Sequence, residues 1–186
     1  SLKLGGSGHL NPAVTIALAV TGKFSTSMVG TYLLAQFAGA FTGAVAVWLT
    51  YHSHFEATED AGLKKAIFCT APGIRKPLNN VFTELIGTFI LMFGALSFTD
   101  PASSMGTLNA LPVSLLVLGI GLSLGGPTGY AINPARDLAP RIAHFILPIK
   151  GKADSDWGYS WVPVVGPVVG AVLAAVRCDA IAWICV

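Results

Sequence analysis

The chain has little charge. Asp, Glu, Lys and Arg make up 11% of its 186 residues, against 53% hydrophobic ones. That leaves too little polar surface to solvate a globule of this size and argues for burial in a bilayer. Cysteine is scarce as well: Cys69, Cys178 and Cys185 suggest neither a disulfide framework nor a metal cluster. A formal net charge of +2 is too small and too scattered for nucleic-acid binding. No cofactor signature is present, and no cleavable signal is evident at Ser1.

The charges that do occur are sorted into blocks. None falls between Phe24 and Tyr51 or between Trp157 and Val176, and Leu78 to Thr99 carries only Glu84. Each run can cross a hydrocarbon core, which takes about 20 apolar residues as a helix. The uncharged run from Pro101 to Ala135 is too long for one span. A helix over roughly Leu108 to Gly125, followed by the glycine-rich loop "GGPTGYAIN", is predicted there. The apolar helices of a large soluble core are the competing reading.

Two apolar pieces are too short or too charged to span. Pro12 to Val20 stops at "TGK", and Pro134 to Leu147 is interrupted by Arg136, Asp137, Arg141 and His144. Both begin with Asn then Pro, a helix start signal: Asn caps orphan N–H groups, and Pro at the first helical position loses no hydrogen bond. Each is read as a half-helix. Irregular backbone at membrane depth is tolerated only where protein buries it or it lines a watery cavity, so two half-helices imply a pore or transport site between them. The repeat extends further. "GAFTG" (Gly39 to Gly43) and "GPVVG" (Gly166 to Gly170) place small residues four apart in the span after each half-helix, a spacing that lets helices approach closely. Two spans precede the second Asn and only ten residues the first, so internal symmetry predicts that about two more helices belong before Asn11.

The chemistry of these residues fits a selective pore. The half-helices present the positive ends of their dipoles at Asn11 and Asn133, which repels cations and opposes protons. Each Asn carbonyl can cap its helix while its amide N–H donors face the lumen. One Asn-Pro pair alone would be a plain helix start. Arg136 is an intramembrane charge, costly unless it faces water or a partner, so it either lines the pore or anchors at the interface. Asp137, in the first turn of its half-helix, suits the dipole and can pair with a nearby base. Glu84 needs a partner too, whether backbone N–H groups or, in an active transporter, a relayed proton.

The segments "HLNPAVTIAL", "FTELIGTFIL", "GGPTGYAINPARD" and "WVPVVGPVVGA" resemble the aquaporin superfamily of major intrinsic proteins, and "NPARD" resembles its glycerol-conducting branch, the aquaglyceroporins or glycerol facilitators. The resemblance covers nearly all of residues 6 to 176. It implies an all-α membrane protein, an inverted repeat of six tilted spans and two pore half-helices. Four of those spans and both half-helices fall in the single channel domain 1–186. It implies a multi-pass homotetramer in the lipid bilayer of the plasma membrane, one passive pore per subunit, no enzymatic activity, and glycerol, water and small polyols as permeants.

Residue by residue, the resemblance makes Asn11, Pro12 and Ala13, with Asn133, Pro134 and Ala135, the paired pore motifs. It places Tyr130, Arg136 and Gly121 in the narrow selectivity region. It gives Gly8, His9, Ala131 and Ile132 as pore-lining carbonyls, His9 in the cytoplasmic half, and Glu84 and Asp137 as structural supports, Glu84 against backbone N–H groups of the second pore loop. Tyr130 stands where glycerol facilitators often carry Phe, and Gly121 where water-selective relatives place His, which implies a wider constriction. Asp137, Arg141 and Pro163 followed by Val164 recur in the glycerol branch. "GSGHLN" departs from the family's Ser, Gly, any residue, His order. His52 to Pro77 reads as a solvated extracellular loop without a site. A passive glycerol and water channel therefore leads over a water-selective channel, a secondary transporter, and an enzyme or purely structural membrane protein. A transporter calls for more ionisable residues in its spans than Glu84, and His144, Asp137 and Ser160 form no catalytic motif.

Overall fold

The computed structural model describes residues 8–98 and 108–184, with side chains to residue 180; Ser1, Ser7, Thr99, Pro101 and Cys185, named above, lie outside those stretches. The helices are α1 (Pro12–Val20), α2 (Thr26–Thr50), α3 (His52–Ala57), α4 (Ala61–Ala66), α5 (Pro77–Ser97), α6 (Leu111–Thr128), α7 (Pro134–Ile146) and α8 (Val162–Ile184), the last entered through a 3-10 turn at Trp157–Tyr159. Helices α2, α5, α6 and α8 run 25, 21, 18 and 23 residues and are apolar enough to cross a membrane. At 1.5 Å per residue they match a hydrocarbon core about 30 Å thick. With α1 and α7 they make an all-α bundle of four spans and two half-helices.

Small residues decide how the bundle packs. A Cβ at Gly170 would stand 2.2 Å from the Leu85 carbonyl oxygen, and one at Gly166 would stand 2.6 Å from Glu84 Cβ, so α8 meets α5 backbone to backbone. Ala13 and Ala17 of α1 pack on Ala171, Ala174 and Ala175 of α8, with Met92 of α5 beside them. The second small pair behaves differently: Cβ atoms at Gly39 and Gly43 of α2 would meet nothing within 4 Å. Leu34, Leu115, Leu118 and Leu122 point outward and exposed. In water such a surface would drive aggregation. In a bilayer it meets hydrocarbon.

Two elements of the fold depart from the sequence reading. Helix α6 does not stop near Gly125 but runs to Thr128 with Pro127 inside it. Proline removes one N–H and tolerates the last turn. The stop comes from Gly129, whose left-handed φ of 75° and N–H to the Gly125 carbonyl at 2.8 Å close the helix. Residues 52–77 are not merely a solvated loop. They hold α3 and α4, the latter capped by Asp60 accepting from Gly62 and Leu63. They also bury Phe55, Phe68 and Cys69 against Ala143, Leu147 and Ile149 at the far end of α7. That apolar seam docks the segment onto the second half-helix.

Candidate functional site

The two half-helices meet at their N-termini. Asn11 caps α1 by accepting from Ala13 N–H at 3.0 Å, and Asn133 caps α7 by accepting from Ala135 and Arg136 N–H at 3.0 and 3.2 Å. Pro12 and Pro134 occupy the first helical positions, where a missing N–H costs nothing. Ala13 and Ala135 are buried behind them. The asparagines are also cross-braced. Asn11 Nδ2 donates to the Ile132 carbonyl at 2.7 Å, and Asn133 Nδ2 donates to the Leu10 carbonyl at 2.9 Å. This corrects the expectation that both amide donors of each side chain face a lumen. A primary amide has two N–H donors, so one on each asparagine is committed to the brace.

The approach to the second half-helix is strained. Tyr130 and Ile132 have φ of 39° and 43°, a left-handed conformation that costs a non-glycine residue about 1–3 kcal/mol and persists only when its surroundings enforce it. Glu84 supplies part of that enforcement, its carboxylate accepting from Ala131 N–H at 2.9 Å and Ile132 N–H at 2.7 Å. The Ile132 side chain packs with Leu91 and Ile120. Glu84 itself is buried.

Left-handed backbone at Tyr130 turns its ring onto α6. A Cβ at Gly121 would come within 3.1 Å of Tyr130 Cζ, so Gly121 opens space that the Tyr130 ring fills, rather than open lumen. The Arg136 guanidinium stands over that ring, 5.6 Å from its centroid, close enough for cation–π attraction. Arg136 is otherwise exposed, beside a cavity of about 410 Å³ between α2 and α7 whose lining includes Leu10, Gln36, Gly39, Asn133 and Arg136.

The first approach is held differently. Gly8 is exposed. The His9 carbonyl accepts from Gln36 Nε2 at 2.9 Å, and the same amide donates to Thr15 Oγ1 at 2.9 Å. The His9 ring packs against Phe24 and Tyr32, at centroid separations of 4.9 and 5.6 Å, and its buried Nδ1 meets no partner among the described residues. Of the four proposed pore carbonyls, those of His9 and Ile132 thus already accept one protein hydrogen bond each. Sequence reasoning missed Gln36, although an amide inside an uncharged span is the same kind of signal as Glu84.

Asp137 is fully buried and bound in a clamp. Arg141 grips it with Nε to Oδ1 and Nη2 to Oδ2, both at 2.8 Å. Arg141 also donates to the carbonyls of Ser155, Asp156 and Thr70 at 2.6, 3.0 and 2.9 Å. Thr70 closes the circle through its N–H to Asp137 Oδ2 at 2.8 Å and through its hydroxyl. Beside it, burial pushes the Cys69 thiol up to about 11, so it stays protonated and inert. The clamp ties the 61–76 segment, α7 and the 147–160 loop into one body.

Capped half-helices touching inside a bundle of apolar spans define a multi-pass integral membrane protein of the channel type. The chain belongs to the major intrinsic protein family, whose family model matches residues 3–177. It is 56% identical over 167 residues to the "Probable glycerol uptake facilitator protein" of Thermotoga maritima, covering 90% of this chain and 71% of that one. It is likewise 56% identical to "Glycerol uptake facilitator protein 3" of Lactiplantibacillus plantarum, covering 90% and 69%. Among solved structures it is similar to the aquaglyceroporin of Plasmodium falciparum, with a TM-score of 0.84 and 34% identity over 96% of this chain and 74% of that one.

Proposed function

We propose that the chain forms a passive pore for glycerol, other small uncharged polyols and water, working as a homotetramer in the lipid bilayer of the cell membrane and excluding ions and protons. The observation that carries this reading is the reciprocal bracing of Asn11 and Asn133, which sets two helix N-termini face to face. Two positive dipole ends repel a cation from both sides. The remaining N–H of each asparagine donates to a passing oxygen. An oxygen accepting from both has its lone pairs occupied and its hydrogens turned away, which interrupts a proton wire. Carbonyls of Gly8, His9, Ala131 and Ile132 then accept from solute hydroxyls along the path. Arg136 donates to solute oxygens and repels cations at the constriction. The Tyr130 face offers an apolar wall to the carbon backbone, with Gly121 behind the ring. Glu84 and Asp137 hold the backbone and touch no solute. Support for glycerol rather than water alone comes from the relatives that are named glycerol uptake facilitators.

The test is stopped-flow light scattering on liposomes carrying the protein, with glycerol, urea and water gradients compared and a pH dye enclosed. Glycerol is expected to pass faster than through protein-free lipid while the dye reports no added proton flux. Water flux without glycerol flux would assign a water-selective pore, and a proton flux matching that of glycerol would assign a coupled transporter.

A further inference from the structure

The Tyr130 ring is held between two surfaces. On one side lies α6, where a Cβ at Gly121 would stand 3.1 Å from Cζ and 3.2 Å from Cε2, and a Cβ at Gly125 would stand 3.2 Å from Cδ1 and 3.6 Å from Cε1. Residues four apart share a helix face, so these two glycines form a floor one aromatic ring long. On the other side stands the Arg136 guanidinium, 5.6 Å from the ring centroid. The approach is specific to these two positions: Cβ atoms at Gly119 and Gly126 of the same helix would meet nothing within 4 Å. The backbone offers the ring little freedom to turn elsewhere, because Tyr130 and Ile132 are locked in left-handed conformations by the bonds from Ala131 and Ile132 to Glu84.

We propose that Gly125 is a specificity-determining position of this pore, setting its solute size limit by letting the Tyr130 ring lie back against α6. The inference rests on the glycerol-channel reading and adds a residue to it. Non-bonded carbons settle at about 3.5–4.0 Å, so a methyl at residue 125 forces the Cδ1 edge of the ring off the helix. The ring yields away from α6 and into the constriction that the proposed function assigns to Tyr130 and Arg136, which narrows. A three-carbon polyol that fills the passage is obstructed, whereas water is small enough to pass.

The experiment compares Gly125→Ala with the unmodified full chain in liposomes, with Gly119→Ala as the control and Tyr130→Ala as a second background. Glycerol flux through Gly125→Ala is expected to fall about five- to tenfold, the rate equivalent of about 1–1.4 kcal/mol of added barrier, with water flux little changed. Gly119→Ala should behave as the unmodified protein. In the Tyr130→Ala background, adding Gly125→Ala should change neither flux. An unchanged glycerol-to-water ratio in assembled Gly125→Ala, or an equal loss without the Tyr130 ring, would overturn the proposal. If Gly125→Ala does not assemble, the double variant must, because the clash is gone; its failure to do so overturns the proposal too. Absence of glycerol flux in the unmodified protein sinks the glycerol reading instead. That outcome also overturns the size limit assigned to Gly125, and it is told apart from a failure of the Gly125 proposal alone because it shows in the unmodified protein.

Discussion

The two half-helices begin alike and are supported unlike. Both start with a capping Asn and a Pro, and each is followed in sequence by a span with two glycines four apart. Around α7 the two carboxylates of the support are engaged at short range, although the buried His144 Nε2 has no partner among the described residues. Glu84 holds the approach through two N–H groups, and Asp137 and Arg141 lock the body. The small pair Gly166 and Gly170 is filled by the α5 backbone. Around α1 the approach is held by two side-chain amides, Gln36 on the His9 carbonyl and Asn133 on the Leu10 carbonyl, with no carboxylate behind it among the described residues, and a buried His9 nitrogen has no partner among them either. Gly39 and Gly43 face open space. A helix start is thus written locally, in the capping residue. The support of the backbone leading into it is set by whatever packs behind, and here the second approach is held by a carboxylate where the first is held by amides.

The sharpest way to break this contrast is to open the clamp. Arg141→Met leaves the Asp137 carboxylate buried without its counter-charge, and breaking a buried pair on one side costs about 3–5 kcal/mol. The melting temperature in detergent, followed by size-exclusion fluorescence, should fall far enough that little assembled protein survives. A folded, conducting Arg141→Met protein would mean that the clamp contributes little to the rigidity of the second site. Gly170→Ala comes next. Its methyl would meet the Leu85 backbone, which cannot swing aside as a side chain can, and overpacking of this kind costs about 1–3 kcal/mol. The same melting assay reads it.

The paired half-helices were legible because their signals are local: a cap, a proline and an apolar run bounded by charge. The four spans were legible because a bilayer demands about 20 apolar residues wherever the chain crosses. Contacts between distant groups were not legible. Thr70 reaches Asp137 across 67 residues, and nothing in "FCTAPG" announces that its Thr will bond a helix on the other side of a span. The left-handed backbone at Tyr130 and Ile132 runs against the local preference of both residues, β-branched Ile most of all. It exists because Glu84 and Asn11 hold it, so only the assembled bundle reveals that Gly121 and Gly125 serve as the floor of a ring. Helix α6 overran its expected end because Pro127 is a weaker stop in a last turn than Gly129.

Glu84→Gln and Gln36→Leu compare the two approaches directly. An amide in place of the Glu84 carboxylate offers one acceptor oxygen to two backbone donors, and a buried N–H left unsatisfied costs about 1–3 kcal/mol. The strained 130–132 backbone should relax, lowering both the melting temperature and the glycerol flux, with no new dependence of flux on pH. A pH-dependent flux in the unmodified protein that Glu84→Gln abolished while leaving it stable would point to a coupled transporter. Gln36→Leu removes the donor to the His9 carbonyl and the buried Thr15 hydroxyl; Gln36 itself lines the cavity, from which water can reach the vacated donor position. Its cost should stay nearer 1 kcal/mol, the net worth of an ordinary hydrogen bond. Equal losses in the two variants would erase the difference between the approaches.

The smallest effect is expected at Gly43. An added Cβ there meets nothing within 4 Å, so no clash opposes the helix propensity gained on replacing Gly by Ala, about 1 kcal/mol in an exposed helix interior. Gly43→Ala should leave the melting temperature unchanged or raise it slightly, whereas the same substitution at Gly170, the corresponding glycine of the other repeat, lowers it. The two measurements together test whether the likeness of "GAFTG" and "GPVVG" is one of sequence or of packing. A loss at Gly43 as large as that at Gly170 would mean that the α2 face is tightly covered in the assembled membrane protein, and that the asymmetry between the two halves ends at Glu84 and the Asp137–Arg141 clamp.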